Sequence, residues 1–301
     1  MIESVTVTNE TGDSLELVLS RPELSGFVVK SIDGLGPVNA NINMTELATL
    51  DGAIDNSARL NSREVNLSLR FLETPTIEDV RLKSYKFFPI KKKIRLTFKT
   101  SNRHCYVEGR VEKNEPDIFS KEEGCSITVK CADPFFYYND DSKLEFFGII
   151  PEFEFPFEND SLEDDLLEFG EIQLITDGTL LYEGDSDTGV EITIHALGSA
   201  SGIIIYNEDT REMMSISDEK LAALTGSGIK NGDTIVINTN RGQKSIKLIR
   251  GGSEINILNV LEKPIGWFTV VKGYNTFAYT AAVGLPNLIF TLSYKLTYEG
   301  I

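Results

Sequence analysis

The sequence of 301 residues has little of what catalytic and metal-binding sites usually require. It contains two histidines, three cysteines and one tryptophan. Two histidines exclude a three-histidine zinc site, and no C-x-x-C, H-E-x-x-H or G-x-S-x-G motif occurs. Three cysteines are too few for a disulfide framework in a chain of this size, which predicts folding in a reducing cytosol.

Long apolar runs are also missing. No stretch approaches the roughly 18 apolar residues that a membrane-spanning helix needs, so we expect no membrane insertion. The N-terminus has no basic region followed by an apolar block, which argues against a signal peptide. An apolar fraction of 41% with 25% charged residues predicts globular domains rather than a disordered chain.

Charge is abundant but unevenly placed. The formal net charge of −17 makes direct nucleic-acid binding a poor expectation, because such binding begins with the neutralisation of phosphates. Residues 144–210 hold 17 Asp or Glu and no Lys or Arg, whereas KKKIRLTFKTSNR, beginning at Lys91, is strongly basic. Either these are two solvated faces, or opposite patches of adjacent copies meet in an assembly.

Alternation of apolar and polar residues dominates the chain. It predicts strands over Glu64–Leu72, residues 94–99 and 126–131, and one eleven-residue strand from Leu288 to Tyr298. One clear helix is expected, capped at Thr74-Pro75 and stopped by Pro89, with a shorter candidate over residues 218–224. Alternation stops at Cys131, so we predict two domains, 1–134 and 135–301. The fold class is all-β with one helix, the second domain being a two-sheet sandwich of about eight strands.

Several chemical interpretations compete for the remaining motifs. The acidic segment could supply the paired carboxylates of a glycosidase, although nothing singles out two of them. Asp185–Gly189 offers alternate oxygen ligands for calcium but lacks the other EF-hand positions, and a polar hairpin turn between strands explains it better. Cys125 and Cys131 lie about 20 Å apart along one strand, too far to share a metal ion. Trp267 could stack on a sugar or belong to the core. We predict no catalytic residue, metal or cofactor.

Longer motifs show a resemblance to a known family. They are, in order, GFVVKSIDGLGPVNANI, TIEDVRLKSYKFF, KKKIRLTF, YVEGRVEKNEPDIFS, CSITVKCADPFFY, YEGDSDTGVEITIHALGSASGIIIYN, NGDTIVINTNRGQKSI and GWFTVVKGYNTFAY. In their order and spacing, over nearly the whole chain, they resemble the distal tail (Dit) proteins of long-tailed phages and prophages.

The resemblance implies a structural role without enzymatic activity. A tail-tube-like N-terminal domain, a β-sandwich or split barrel, would form a homohexameric ring at the virion tail tip. That ring would join the tail-tube protein to the tail-tip hub protein. A galectin-like C-terminal sandwich would contact receptor-binding or baseplate proteins. The alternative is a carbohydrate-binding module that uses this sandwich, although the usual galectin sugar-binding signature is missing around His195 and Trp267.

Thirteen residues are the candidates for structural or assembly roles. They are Gly34, Gly36, Pro37, Asp51, Gly52, Arg63, Lys91, Lys92, Lys93, Gly109, Asp133, Pro134 and Trp267. Two hypotheses accompany them. The long polar excursion between Pro37 and Glu64 reaches a neighbouring subunit, since loops of this length usually have a function. The three lysines face acidic groups across a subunit or partner contact.

Overall fold

The computed structural model describes residues 1–47, 51–140, 142–145, 147–150 and 171–301. By the clustering of contacts the chain forms two compact units. The first contains Met1–Asp140 together with Thr297–Ile301, and the second contains Asp141–Leu296. The domain division predicted from the sequence, at residues 134 and 135, stays a prediction.

The first unit is built on one antiparallel sheet. Its strands are Ile2–Asn9 (β1), Ser14–Val18 (β2), Phe27–Asp33 (β3), Ala40–Glu46 (β4), Ala53–Leu60 (β5), Arg63–Phe71 (β6), Lys93–Thr100 (β7), His104–Asp117 (β8), Gly124–Cys131 (β9) and Phe136–Tyr138 (β10). The order across the sheet is β2-β1-β7-β8-β9-β6-β3, with β10 paired to β8, while β4 and β5 form a separate hairpin. The edge strands β2 and β3 contact each other and the short 3-10 helix Pro22–Leu24 between them, so the sheet curls into a split barrel.

Alternation explains why these strands form and which face they bury. In β6 the odd-numbered positions Val65, Leu67 and Leu69 are at most 2% exposed, whereas the residues between them are partly exposed. The predicted β6, β7 and β9 strands are therefore confirmed. These buried side chains lie on the inner face of the sheet and form the core of the first unit. The helix Ile77–Phe87 (α1) contributes Val80 and Phe87 to this core.

The start of α1 differs from the prediction. The residue that caps the helix is Thr76, not Thr74, because the Thr76 hydroxyl accepts the Asp79 N–H at 3.1 Å. Pro75 therefore precedes the cap instead of occupying the first turn. The helix ends at Phe87, just before Pro89, as expected.

The second unit is the predicted two-sheet sandwich, but its described residues form thirteen strands where the sequence predicts about eight. Its strands are Ser142–Glu145 (β11), Phe147–Ile150 (β12), Glu171–Leu174 (β13), Asp177–Tyr182 (β14), Thr188–Ala196 (β15), Ile204–Asn207 (β16), Glu212–Ser215 (β17), Thr234–Asn238 (β18), Ser245–Arg250 (β19), Ser253–Asn256 (β20), Thr269–Val270 (β21), Gly273–Thr280 (β22) and Leu288–Tyr294 (β23). One sheet has the order β11-β23-β15-β18-β19-β20, with β21 on β15, and the other β14-β22-β16-β17, while β12 and β13 pair with each other. The short helix Asp218–Thr225 (α2) was the second predicted candidate, and short 3-10 helices cover Leu258–Val260 and Leu285–Asn287.

The core of the second unit lies between its two sheets. Ile192 and Phe290 come from the larger sheet, Ile205 and Tyr279 from the smaller one, and the rings of Tyr279 and Phe290 stack at 3.6 Å between centroids. This packing of two antiparallel sheets confirms the all-β fold class. No helix in the part of the chain that the structure describes is long and apolar enough to cross a membrane.

The end of the chain corrects one prediction. The strand expected from Leu288 to Tyr298 stops at Tyr294, and a separate strand, Thr297–Tyr298 (β24), pairs with β10 in the first unit. Alternation continues through both strands, so the sequence pattern alone does not reveal the break. The acidic run at residues 163–165 lies outside the described residues.

Candidate functional site

The excursion between Pro37 and Glu64 is a β-hairpin, which we call the arm. Its strands β4 and β5 pair over the register Ala40↔Leu60 to Glu46↔Ala53, with one irregularity at Asn43 and Met44. Every residue of both strands is exposed. The sequence predicts a polar loop here, whereas in the structure the two strands form antiparallel pairs. A two-stranded hairpin without a packing surface is only marginally stable in water.

The arm has one largely apolar face. Strand alternation places Ala40, Ile42 and Met44 on the same side of β4, and the cross-strand pairs add Ala58 and Leu60 to it. Asn41, Asn43, Ser57 and Arg59 occupy the opposite side. Beyond the irregularity both sides are mixed, because Met44 pairs with Asp55 and Thr45 pairs with Ile54, which is 51% exposed. Ile42 is 53% exposed and Met44 56% exposed. The apolar face is thus presented to solvent in the single chain.

Arg63 lies at the base of the arm and is 1% exposed. Its guanidinium donates hydrogen bonds to four backbone carbonyls: Gly34 at 2.5 Å, and Gly36, Pro134 and Glu299 each at 2.7 Å. It also lies 4.1 Å from the centroid of the Phe136 ring. Burial lowers the pKa of this guanidinium. One side chain therefore ties together three segments that are far apart in sequence.

The structure brings five of the predicted residues together around Arg63. Gly34, Gly36 and Pro134 supply acceptors, and Pro37 lies against Gly300. Gly34 has φ +85°, and a Cβ at this position would collide with the Glu64 carbonyl, so glycine is required there. Asp133 lies next to Pro134 in the chain and accepts from the Tyr137 hydroxyl at 2.6 Å.

The other predicted residues lie elsewhere. Asp51 and Gly52 lie at the distal end of the arm, and both are exposed. Gly109 is buried in β8 opposite Ile94, where a Cβ would stand 2.7 Å from the Cys131 sulfur. Whether these residues act in assembly stays a prediction.

The basic strand finds partners within its own chain. Lys92 pairs with Glu10 at 3.5 Å, and Lys93 pairs with Glu108 at 2.6 Å. These ion pairs are largely exposed, where each contributes at most about 1 kcal/mol. Lys91 has φ 68° and is exposed. The partner-facing role predicted for the three lysines stays a prediction, and such a contact would compete with these intramolecular pairs.

The cysteines are buried thiols. All three are free, and burial raises the pKa of Cys105, Cys125 and Cys131 to about 12. Among the described residues no group of three or more His, Cys, Asp or Glu side chains could hold a metal ion. Thiols with such a pKa are poor nucleophiles and poor metal ligands at neutral pH.

Trp267 packs against the core of the second unit. It is partly buried, and Lys244 lies over its ring at 5.3 Å from the centroid. The alternative interpretation of Trp267, as a sugar-stacking residue, stays a hypothesis.

Comparison with solved structures gives matches over almost the whole chain. The crystal structure of the SPP1 Dit (gp 19.1) protein, described as a paradigm of the hub adsorption apparatus in phages that infect Gram-positive bacteria, matches with a TM-score of 0.63. The match covers 97% of this chain and 98% of that one, at 12% sequence identity. The chain has the fold of a phage Dit protein. At this identity the likeness establishes the Dit fold and nothing about partners.

Two structures of the phage P2 baseplate in its activated conformation, one with Ca and one with Sr, also match over 97% of this chain. They cover 98% and 97% of the matched chains, at 11% and 10% identity. Their TM-scores of 0.47 and 0.46 are too low to strengthen the Dit fold assignment. No protein-family model matches the chain, and a search of curated proteins finds no match either.

Proposed function

We propose that this protein is a structural component of a phage tail tip, forming a homohexameric ring through its first unit. The ring joins the tail tube to the tail-tip hub, and the second unit carries receptor-binding or baseplate proteins. The protein acts in the virion tail, without enzymatic activity, cofactor, nucleic acid or membrane insertion. The Dit fold over almost the full length of the chain supports this role. The number six comes from the resemblance to Dit proteins.

The observation that carries the proposal is the exposed apolar face of the arm. Ile42, Met44 and Leu60 are 53%, 56% and 38% exposed. Burying this exposed surface against a neighbouring copy would contribute on the order of 1 kcal/mol for each residue, or about 3 kcal/mol for each arm. In a closed ring every arm gains this contact, because each copy offers the same receiving surface.

Charge placed on either face of the arm tests the proposal. Ile42→Asp with Met44→Asp adds two charges to the apolar face, and Asn41→Asp with Asn43→Asp adds the same two charges to the polar face. We expect mass photometry to show a ring for the wild type and for the Asn variants. The Ile42 and Met44 variant should be a monomer of 33.5 kDa. Both variants should keep the wild-type circular dichroism, because the arm lies outside the core.

Two results would contradict the arm as the ring contact. In one, the charged apolar face still assembles like the wild type. In the other, the polar-face control loses the ring to the same extent. The loss of assembly would then come from the added charge and not from the apolar face. A wild-type chain that stays monomeric at every concentration would contradict the proposed function as a whole.

A further inference from the structure

The last five residues complete the first unit. Tyr298 pairs with Phe136 and Thr297 with Tyr137, and both residues of this short strand are buried. The strand β10 lies between β24 and β8, so the C-terminus extends the sheet of the first unit. We call residues 297–301 the clasp.

Each remaining residue of the clasp is bound to the first unit through its backbone. The Glu299 carbonyl accepts from Arg63 at 2.7 Å, and the Gly300 carbonyl accepts from Arg103. The Ile301 N–H donates to the Leu35 carbonyl at 3.1 Å. Gly300 packs so closely on the 35–37 loop that a Cβ would stand 3.1 Å from the Leu35 oxygen and 3.3 Å from Pro37 Cδ.

The same contacts hold the base of the arm. Residues 34–39 lead directly into β4, and Arg63 follows the end of β5 by three residues. Arg63 holds the carbonyls of Gly34 and Gly36 on one side and that of Glu299 on the other. Removing the clasp deprives a buried guanidinium of one acceptor and takes the Ile301 donor from the Leu35 carbonyl, which costs free energy in a buried site.

We propose that the clasp fixes the base of the arm, so that the arm is held ready for assembly only in a chain whose second unit is complete. The clasp follows residues 141–296 in the sequence, and its contacts cannot form before those residues have been made. An incomplete chain would then carry a loosened arm and stay out of the ring. The assembly step rests on the proposed function, whereas the fixing of the arm base does not.

Hydrogen exchange on monomers tests the fixing step. The full chain and a chain ending at Leu296 are compared, both carrying Ile42→Asp and Met44→Asp so that ring formation does not influence exchange. Loss of about 1.4 kcal/mol of local stabilisation makes exchange about tenfold faster. We expect at least this increase in peptides covering residues 34–39 and 61–66. Peptides of β15 and of β18 should exchange as in the full chain.

Equal exchange at the arm base in the two chains would overturn the proposal. An equal acceleration in β15 and β18 would also overturn it, because truncation would then loosen the whole chain. This comparison gives its answer even if the wild type forms no ring, so failure of the clasp and failure of the proposed function are distinguishable.

A substitution that keeps the chain length tests the link to assembly. Gly300→Val inserts a side chain where the clasp touches the 35–37 loop, whereas Gly228→Val adds a Cβ that meets nothing within 4 Å. We expect Gly300→Val, with the native arm, to lower the ring fraction at least tenfold at a concentration where the Gly228→Val control assembles. Equal assembly of the two variants would contradict the link.

Discussion

Replacement of Arg63 is the sharpest test of how the first unit is held together. Arg63→Met removes four hydrogen bonds to backbone carbonyls and the contact with Phe136, and fills part of the same space with apolar atoms. Arg63→Lys keeps the charge but concentrates three donors on one nitrogen. A lysine ammonium cannot reach the four carbonyls that the planar guanidinium reaches.

The magnitude follows from the burial of the site. A hydrogen bond to a charged group contributes about 1.5–3 kcal/mol, and an acceptor left unpaired in a buried site costs about 1–3 kcal/mol. Removing the buried cation also removes its desolvation penalty, and this offsets part of the lost stability. We expect Arg63→Met to destabilise the first unit by about 3–5 kcal/mol and Arg63→Lys by about 2–3 kcal/mol. The larger loss corresponds to a decrease in Tm of roughly 10 °C.

The single tryptophan provides an internal control. Trp267 lies in the second unit, so its fluorescence reports on that unit, while far-UV circular dichroism follows both. In urea the fluorescence midpoint should match that of the wild type, and the circular dichroism should show an earlier transition in both variants. A free energy of unfolding for Arg63→Met within about 1 kcal/mol of the wild-type value would contradict the role assigned to Arg63. A shift of the fluorescence midpoint equal to that of the circular dichroism would refute it as well.

Two further predictions concern buried titratable groups. Native protein at pH 8 should resist alkylation at Cys105, Cys125 and Cys131, because a pKa of about 12 leaves on the order of one thiol in ten thousand as thiolate. Unfolding in guanidinium should make all three thiols reactive. Rapid modification of the native protein, detected by mass spectrometry, would contradict this prediction. Burial alone would raise the pKa of Asp233, but hydrogen bonds from Arg250 at 2.6 and 2.8 Å help to lower it. The pair therefore stabilises the second unit above the ordinary carboxyl pKa and loses this effect as the pH falls through the lowered value. Asp233→Asn should cost about 2–3 kcal/mol at pH 7 and progressively less in acid, and a cost that is independent of pH in urea titrations would refute the assignment.

Local pattern predicted much of the fold. Alternation in residues 64–72 and 126–131 identifies strands with one buried face, because apolar residues take the buried positions of such a strand and polar residues take the exposed ones. The start of α1 was missed by two residues, since Thr74 and Thr76 are equally good caps by composition and the Thr76 bond to Asp79 decides between them. The pairing of β4 with β5 was missed because its apolar residues are few and face solvent in the single chain.

The site depends on contacts that no local pattern shows. Arg63 is among the candidates predicted from the sequence, but nothing near it in the chain indicates that Glu299 supplies an acceptor 236 residues later. The last strand keeps its alternation across Lys295 and Leu296, so the passage from β23 to β24 leaves no signal. Turn residues and family motifs predict roles for Gly34 and Pro134. Only the folded structure shows that both lie around the Arg63 guanidinium.

The most direct measurement is the mass and symmetry of the purified wild-type chain, by mass photometry and negative-stain imaging at increasing concentration. Six copies of a 33.5 kDa chain give a particle of about 200 kDa, and we expect this mass together with a six-fold ring that has an open centre. A single species of 33.5 kDa at every concentration, or a closed particle without a central opening, would contradict the proposed ring.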